Sequence, residues 1–160
     1  MLVRRIAIGT AVAAAMTGCA SIGPYPASAS EAIALVDAGP ACTSTLSPAA
    51  SSLAASSQTR PPMLLGCFAQ FPKFLEARRI AGECRMSFDV DDAGIPTQPV
   101  SSCFITTPGL ADQQLEAIAL AAFQRASERS LMATRYAPAD PVRPDEVRKN
   151  LTMSSRFDFR

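Results

Sequence analysis

The chain has no histidine and no tryptophan, and its 15 Lys and Arg residues nearly balance 14 Asp and Glu. Without histidine there is no Ser/His/Asp or Cys/His nucleophilic centre, no imidazole metal ligand and no side chain that ordinarily titrates near neutral pH. Near-neutral charge lacks the clustered Lys and Arg with which nucleic-acid binders displace counterions, so no nucleic-acid partner is expected. No Cys-x-x-Cys pair and no Cys/His cluster occurs. That leaves no signature of redox catalysis or metal binding, and the expectation is a non-enzyme with no catalytic residue, metal or cofactor. Asp89, Asp91 and Asp92 form the one dense carboxylate cluster, but without calcium-loop spacing or a second hydrolytic carboxylate they read as turn residues. What is present is 48% apolar residues in a chain of 160, enough for one modest folded unit with appendages, and five cysteines. An odd number leaves one sulfur outside any set of disulfides.

Arg4 and Arg5 precede an apolar run over residues 6–16. The run is shorter than the roughly 20 residues that cross a bilayer, and its order is that of a signal peptide. Met16-Thr17-Gly18-Cys19 resembles the bacterial lipobox. The resemblance implies removal of residues 1–18, lipidation of Cys19 and a membrane held through acyl chains rather than a basic patch. Ala20 is not the Asp that keeps such lipoproteins in the inner membrane. A cell-envelope location facing the periplasm, at the outer membrane, is therefore implied. Residues 19–65 are dominated by Ala, Ser, Pro and Thr and read as a disordered tether of about 40 residues, spanning about 35 Å as a coil. Inside it a short helix is expected over residues 31–36, ended by Gly39-Pro40.

Beyond Arg60 large apolar residues and regular periodicities begin, placing the folded unit at residues 66–160. Cys84, Met86, Phe88 and Val90 alternate with Arg85, Ser87, Asp89 and Asp91, the pattern of a half-buried strand. Residues 91–94 supply a turn and residues 95–105 a returning strand, which Pro96 and Pro99 confine to a sheet edge. Thr107-Pro108 predicts a helix start. Leu110, Leu115, Ile118, Ala119, Ala122, Phe123 and Ala126 then form an apolar stripe, with the helix reaching about Ser130. Residues 151–159 alternate again, with Leu151, Met153, Phe157 and Phe159 inward. With a short helix over residues 72–80, these elements predict an α+β fold: a three-stranded antiparallel sheet with one short and one long helix on one face.

With Cys19 assigned to lipid, Cys42, Cys67, Cys84 and Cys103 allow two disulfides in three connectivities. The hairpin places Cys84 opposite residues 101–103, so Cys84 and Cys103 are opposed or one diagonal step apart, which suits a cross-strand bridge. Elimination then pairs Cys42 with Cys67.

The ordered features resemble the TonB C-terminal domain family over roughly residues 68–160. Carrying the resemblance are Gln70-Phe71-Pro72, Gly82, the run from Met86 through Phe88 and Val90 to the acidic turn and Gly94, Arg135-Tyr136-Ala137-Pro138, and Phe157-Asp158-Phe159. In that family the last strand lies at a sheet edge and takes an extended peptide from an outer-membrane transporter as an added strand. The resemblance implies that Leu151, Thr152, Met153, Ser154, Ser155, Arg156 and Phe157 form the docking strand. Gln70, Phe71 and Pro72 would touch the same envelope protein or peptide, with outward Thr152, Ser154, Arg156 and Asp158 selecting it. Two alternatives accompany this reading: an energy transducer for transport through outer-membrane receptors, with the N-terminal segment retained as an anchor, and a purely structural envelope lipoprotein.

Overall fold

The computed structural model describes residues 25–46, 60–142 and 146–159. The signal peptide, Cys19 and the middle of the expected tether lie outside them. In chain order the elements are α1 (Ala29–Ala38), β1 (Cys42–Leu46), β2 (Met63–Ala69), α2 (Lys73–Glu76), β3 (Gly82–Val90), β4 (Pro96–Ile105), α3 (Gln113–Ala133), β5 (Arg135–Tyr136) and β6 (Leu151–Phe157). All strand pairings are antiparallel and fall into two sheets, ordered β4-β3-β6 and β1-β2-β5.

The first sheet follows directly from alternation. Cys84, Met86, Phe88 and Val90 are buried on β3, and the hairpin sets Cys84 opposite Cys103, whose sulfurs are bonded. Pro96 and Pro99 sit in β4, which is an edge strand, and the ladder shifts register between Ser87 and Asp89. α3 covers the buried face. Ile118, Ala119, Ala122, Phe123 and Ala126 pack against Cys84, Phe157, Leu75 and Ile80. Phe123 stacks on Phe157 with centroids 4.6 Å apart. Gly82 makes that approach possible, because a Cβ there would lie 2.6 Å from the Phe123 ring.

α3 differs from expectation at both ends. Its N-cap is Asp112, whose carboxylate accepts from the N–H groups of Gln114 and Leu115. Thr107 is not the cap; its hydroxyl accepts from Ala81 N–H and donates to Arg79 O, tying the loop back to the start of β3. Asp outcompetes Thr here because a carboxylate can accept from two free N–H groups at the positive end of the helix. At the other end the helix continues past Ser130 to Ala133, and the polar Ser127, Ser130 and Thr134 around that end are fully buried. Ser130 Oγ donates to Ser127 O, and Thr134 Oγ1 to Ser130 O, so the preceding turn satisfies these two hydroxyls.

The second sheet corrects the single-sheet expectation and the disordered tether. Within residues 19–65 the chain forms α1, β1 and the start of β2. Ser28 caps α1 by accepting from Glu31 N–H, while the Glu31 carboxylate accepts from Ala27 N–H. Ala32 is fully buried in the α3 core. β1 is bonded to β2 through the Cys42–Cys67 disulfide, with Cα atoms 5.3 Å apart. Residues 29–46 carry too little apolar surface to fold alone; they are held against α3 and by a covalent bond to β2.

β5 joins the two sheets. It pairs with β2, while Tyr136 N–H donates to Gly94 O at 2.9 Å and Ala139 N–H to Asp92 O at 2.8 Å, both in the β3–β4 turn. Gly94 has φ +83°, and a Cβ there would sit 2.1 Å from Tyr136 O. The acidic turn is thus a seam between sheets. Arg148 reinforces it, donating to Asp91 O and Ala137 O while paired at 2.7 Å with Glu146. β6 ends at Phe157, two residues short of the expected strand, and Phe159 is 37% exposed.

Candidate functional site

The last strand has one partner among the described residues. β6 pairs with β3 in unbroken register, from Gly82 opposite Phe157 to Phe88 opposite Leu151, and no described strand pairs with its other edge. The sheet's opposite edge, β4, carries two prolines and a register shift, both of which impede further pairing. β6 has neither.

Side chains alternate along this edge. Leu151 and Phe157 are buried and Met153 and Ser155 partly so, while Thr152, Ser154 and Arg156 are exposed, as is Asp158 beyond the strand end. Register places the outward residues in rows across the open face of the sheet. Thr152 lies beside Ser87 and then Val100; Ser154 beside Arg85 and then Ser102; Arg156 beside Glu83 and then Phe104. Glu83 bridges two exposed arginines, at 3.3 Å to Arg85 and 3.4 Å to Arg156. The Arg85 guanidinium lies 5.8 Å from the Phe104 ring centroid. The face therefore grades from charged and polar at β6 to apolar at β4, where Val100 is 68% and Phe104 42% exposed. Exposed pairs of this kind add only about 0–1 kcal/mol each, so they orient side chains more than they stabilise the sheet.

Of the three residues preceding α2, Phe71 meets the last strand. Its ring contacts Phe157 at 5.8 Å, Phe159 at 5.4 Å and Phe123 at 5.9 Å between centroids. Pro72 is buried and starts α2, its carbonyl accepting from Leu75 and Glu76 N–H. Gln70 turns toward α1, where its Oε1 lies near Gly39 and has no hydrogen-bond partner among the described residues. Of this trio, one ring is brought to the edge and one amide is not.

The carboxylate cluster is used in turns. Asp91 Oδ1 accepts from Ile95 N–H and Asp89 Oδ1 from Asn150 N–H. Among the described residues no three His, Cys, Asp or Glu side chains are placed to hold a metal ion, and no helix is long and apolar enough to cross a membrane.

No family model and no curated protein matches this chain.

The perturbed titrating groups lie away from the edge. The hydrogen bond from Arg125 holds the Asp37 carboxyl below its ordinary range, at distances of 2.7 and 3.0 Å. Burial raises the Tyr136 phenol to about 12, partly opposed by Arg60, and burial also raises Tyr25. Arg129 donates to the carbonyls of Val36 and Gly39, supplying the cation that the last turn of α1 lacks. Sequence reasoning missed this clasp between α1 and α3. Its one local signal was the Ser28–Glu31 spacing at the start of α1.

Proposed function

We propose that the protein is a non-enzymatic cell-envelope lipoprotein, anchored through Cys19, that binds an extended protein or peptide segment by adding it to β6. The observation carrying this reading is the asymmetry between the sheet's two edges. Over residues 96–99 β4 is interrupted by prolines and irregular register, leaving six regular residues, whereas all seven residues of β6 are regular and its second side has no partner among the described residues. Backbone pairing supplies the affinity, and outward Thr152, Ser154 and Arg156 supply selectivity. Resemblance to the TonB C-terminal family supports the same edge and points to an outer-membrane transporter segment as partner. The transducer reading needs a long rod between anchor and domain; here the first described residue of the fold, Tyr25, is six residues after Cys19, which favours a binding module near its anchor.

The test is a pair of proline substitutions, Ser154→Pro and Ser155→Pro. Adjacent residues in a strand send their N–H groups to opposite sides, so one variant removes an outward donor while keeping the β3 ladder. A photo-crosslinker at Thr152 captures the partner in the envelope, and its extended segment is then titrated as a peptide. The folded, outward-facing proline variant is expected to lose peptide binding at least tenfold; unchanged affinity in that variant rules out addition at β6.

A further inference from the structure

The bonds at the two ends of β3 fix which way each backbone group of β6 turns. Val90 N–H donates to Arg148 O, on the β6 side, whereas Asp91 N–H donates to Ile95 O and Ala81 O accepts from Thr106 N–H, on the β4 side. In an antiparallel ladder the N–H and C=O of one residue turn the same way, and successive residues turn opposite ways. Even-numbered residues of β3 therefore bond toward β6. The 4.1 Å between the Cα atoms of Cys84 and Cys103 agrees, being the separation of a non-hydrogen-bonded pair between β3 and β4. By register, Leu151, Met153, Ser155 and Phe157 bond back to β3. Thr152, Ser154 and Arg156 turn their three N–H and three C=O groups to the side that has no partner among the described residues.

A regular edge strand is ordinarily guarded by proline, a bulge or inward and edge charges. Over residues 96–99 the β4 edge has two prolines and a register shift, while β6 has neither, and its one charge, Arg156, is paired with Glu83 at 3.4 Å. What β6 does match is itself. Placed antiparallel about a two-fold axis at Ser154, two copies of β6 oppose Ser154 to Ser154 and Thr152 to Arg156, so every outward N–H of each copy meets an outward C=O of the other. Beyond the strand Asp158 then faces Asn150, and no like charges are opposed. Sliding one copy by two residues leaves two of the three outward residues paired, and sliding by four leaves one. With a formal net charge of +1, copies of the chain are not held apart by long-range repulsion. We infer that β6, when no partner strand fills it, pairs with β6 of a second copy of this chain, centred on Ser154. The joined sheet runs β4-β3-β6-β6-β3-β4 and ends on both sides in a proline-interrupted strand, so the assembly closes at two rather than growing. The contact is a single short strand pair, smaller than a standard interface, and a partner's strand displaces it. The inference rests on the reading of β6 as the binding edge, and it makes self-pairing the state from which a partner is taken up.

The chain from residue 19 is tested with Cys19→Ala, so that no free thiol outside the two disulfides links copies. In the paired register the two Ser154 Cα atoms lie about 5.5 Å apart, within disulfide reach, whereas the two Thr152 residues are four steps apart along the strands, about 14 Å. Under mild oxidation Ser154→Cys is expected to form a disulfide-linked dimer, at a yield at least fivefold above Ala34→Cys, an exposed position on α1. Thr152→Cys and Arg156→Cys should each stay unlinked alone and link to each other when mixed. In sedimentation equilibrium at millimolar concentration the protein without added cysteines should associate reversibly to a dimer. Ser154→Pro, which removes the donor at the axis from both copies, should weaken that association at least tenfold. Linking at Ser154→Cys no higher than at Ala34→Cys, linking of Thr152→Cys alone at the Ser154→Cys yield, growth beyond two copies, or unchanged association of folded Ser154→Pro overturns the inference. The peptide captured at Thr152 separates the two readings. Peptide binding by a protein that stays monomeric defeats self-pairing alone, and a dimer that binds no peptide leaves self-pairing standing and defeats the partner reading.

Discussion

The two sheets of this protein share α3 and the seam at Gly94, yet different forces hold them. In β4-β3-β6 the strands are seven to ten residues long, buried side chains alternate along β3, and the β3–β6 ladder has no irregularity. In β1-β2-β5 the strands are five, seven and two residues long, and both pairings shift register. The second sheet also leaves Leu64, Leu65 and Phe68 exposed, whereas Met86, Phe88 and Val90 on β3 are nearly inaccessible. A sheet with a continuous apolar face is stabilised by burial that its own sequence supplies. A sheet without one depends on a covalent bond and on neighbours already folded.

That contrast can be broken at its common support. Phe123 is fully buried, stacks on Phe157 and lies against Gly82. Phe123→Ala should cost about 3–5 kcal/mol and lower the thermal midpoint of both sheets together, measured by calorimetry. Separate melting of the two sheets in this variant would show that α3 is not their shared core.

The next effect sharpens the contrast. The Cys42–Cys67 and Cys84–Cys103 disulfides span 25 and 19 residues, so loop-closure entropy predicts nearly equal contributions of about 3 kcal/mol. Hydrogen exchange should nevertheless separate them. Cys42→Ser/Cys67→Ser should expose β1 and β2 amides while β3 stays protected, whereas Cys84→Ser/Cys103→Ser should lower protection throughout.

The smallest effect is read in alkali. Burial raises the Tyr136 phenol to about 12, above its ordinary 10, so it contributes stability that is full below pH 10 and lost as pH rises toward 12. Tyr136→Phe should remove part of that alkaline loss, measured as the denaturation midpoint between pH 9 and 11.5, while Tyr25→Phe serves as a comparison from outside the seam. An unchanged alkaline limb would place the ionising group elsewhere.

How much could be read from the residues differed between the same two regions. The β3 alternation, the edge position of β4 forced by Pro96 and Pro99, the apolar stripe of α3 and the Cys84–Cys103 pairing all follow from spacing within about 20 residues. Local spacing carries such information because strand and helix periods differ and a hairpin fixes its own register. The true cap at Asp112 was obscured because Thr107-Pro108 has the same local chemistry, and only the Ala81 and Arg79 bonds show where Thr107 is used. Of the residues proposed for partner binding, the alternation of residues 151–157 was legible. The divergence of Gln70 from Phe71 was not, since it depends on where α1 lies.

By itself, then, the sequence determined the larger sheet, its covering helix and the Cys84–Cys103 pair, through patterns that each segment carries internally, whereas the Cys42–Cys67 pair followed only by elimination. Tertiary structure decided that residues 29–46 belong to the fold, because Ala32, Asp37 and the carbonyls of Val36 and Gly39 find their partners on α3, some 90 residues away. A low-apolar segment cannot offset its own ordering entropy, and whether it folds is set by the surface it meets. The same packing brings the start of the described fold forward from the expected residue 66 to Tyr25.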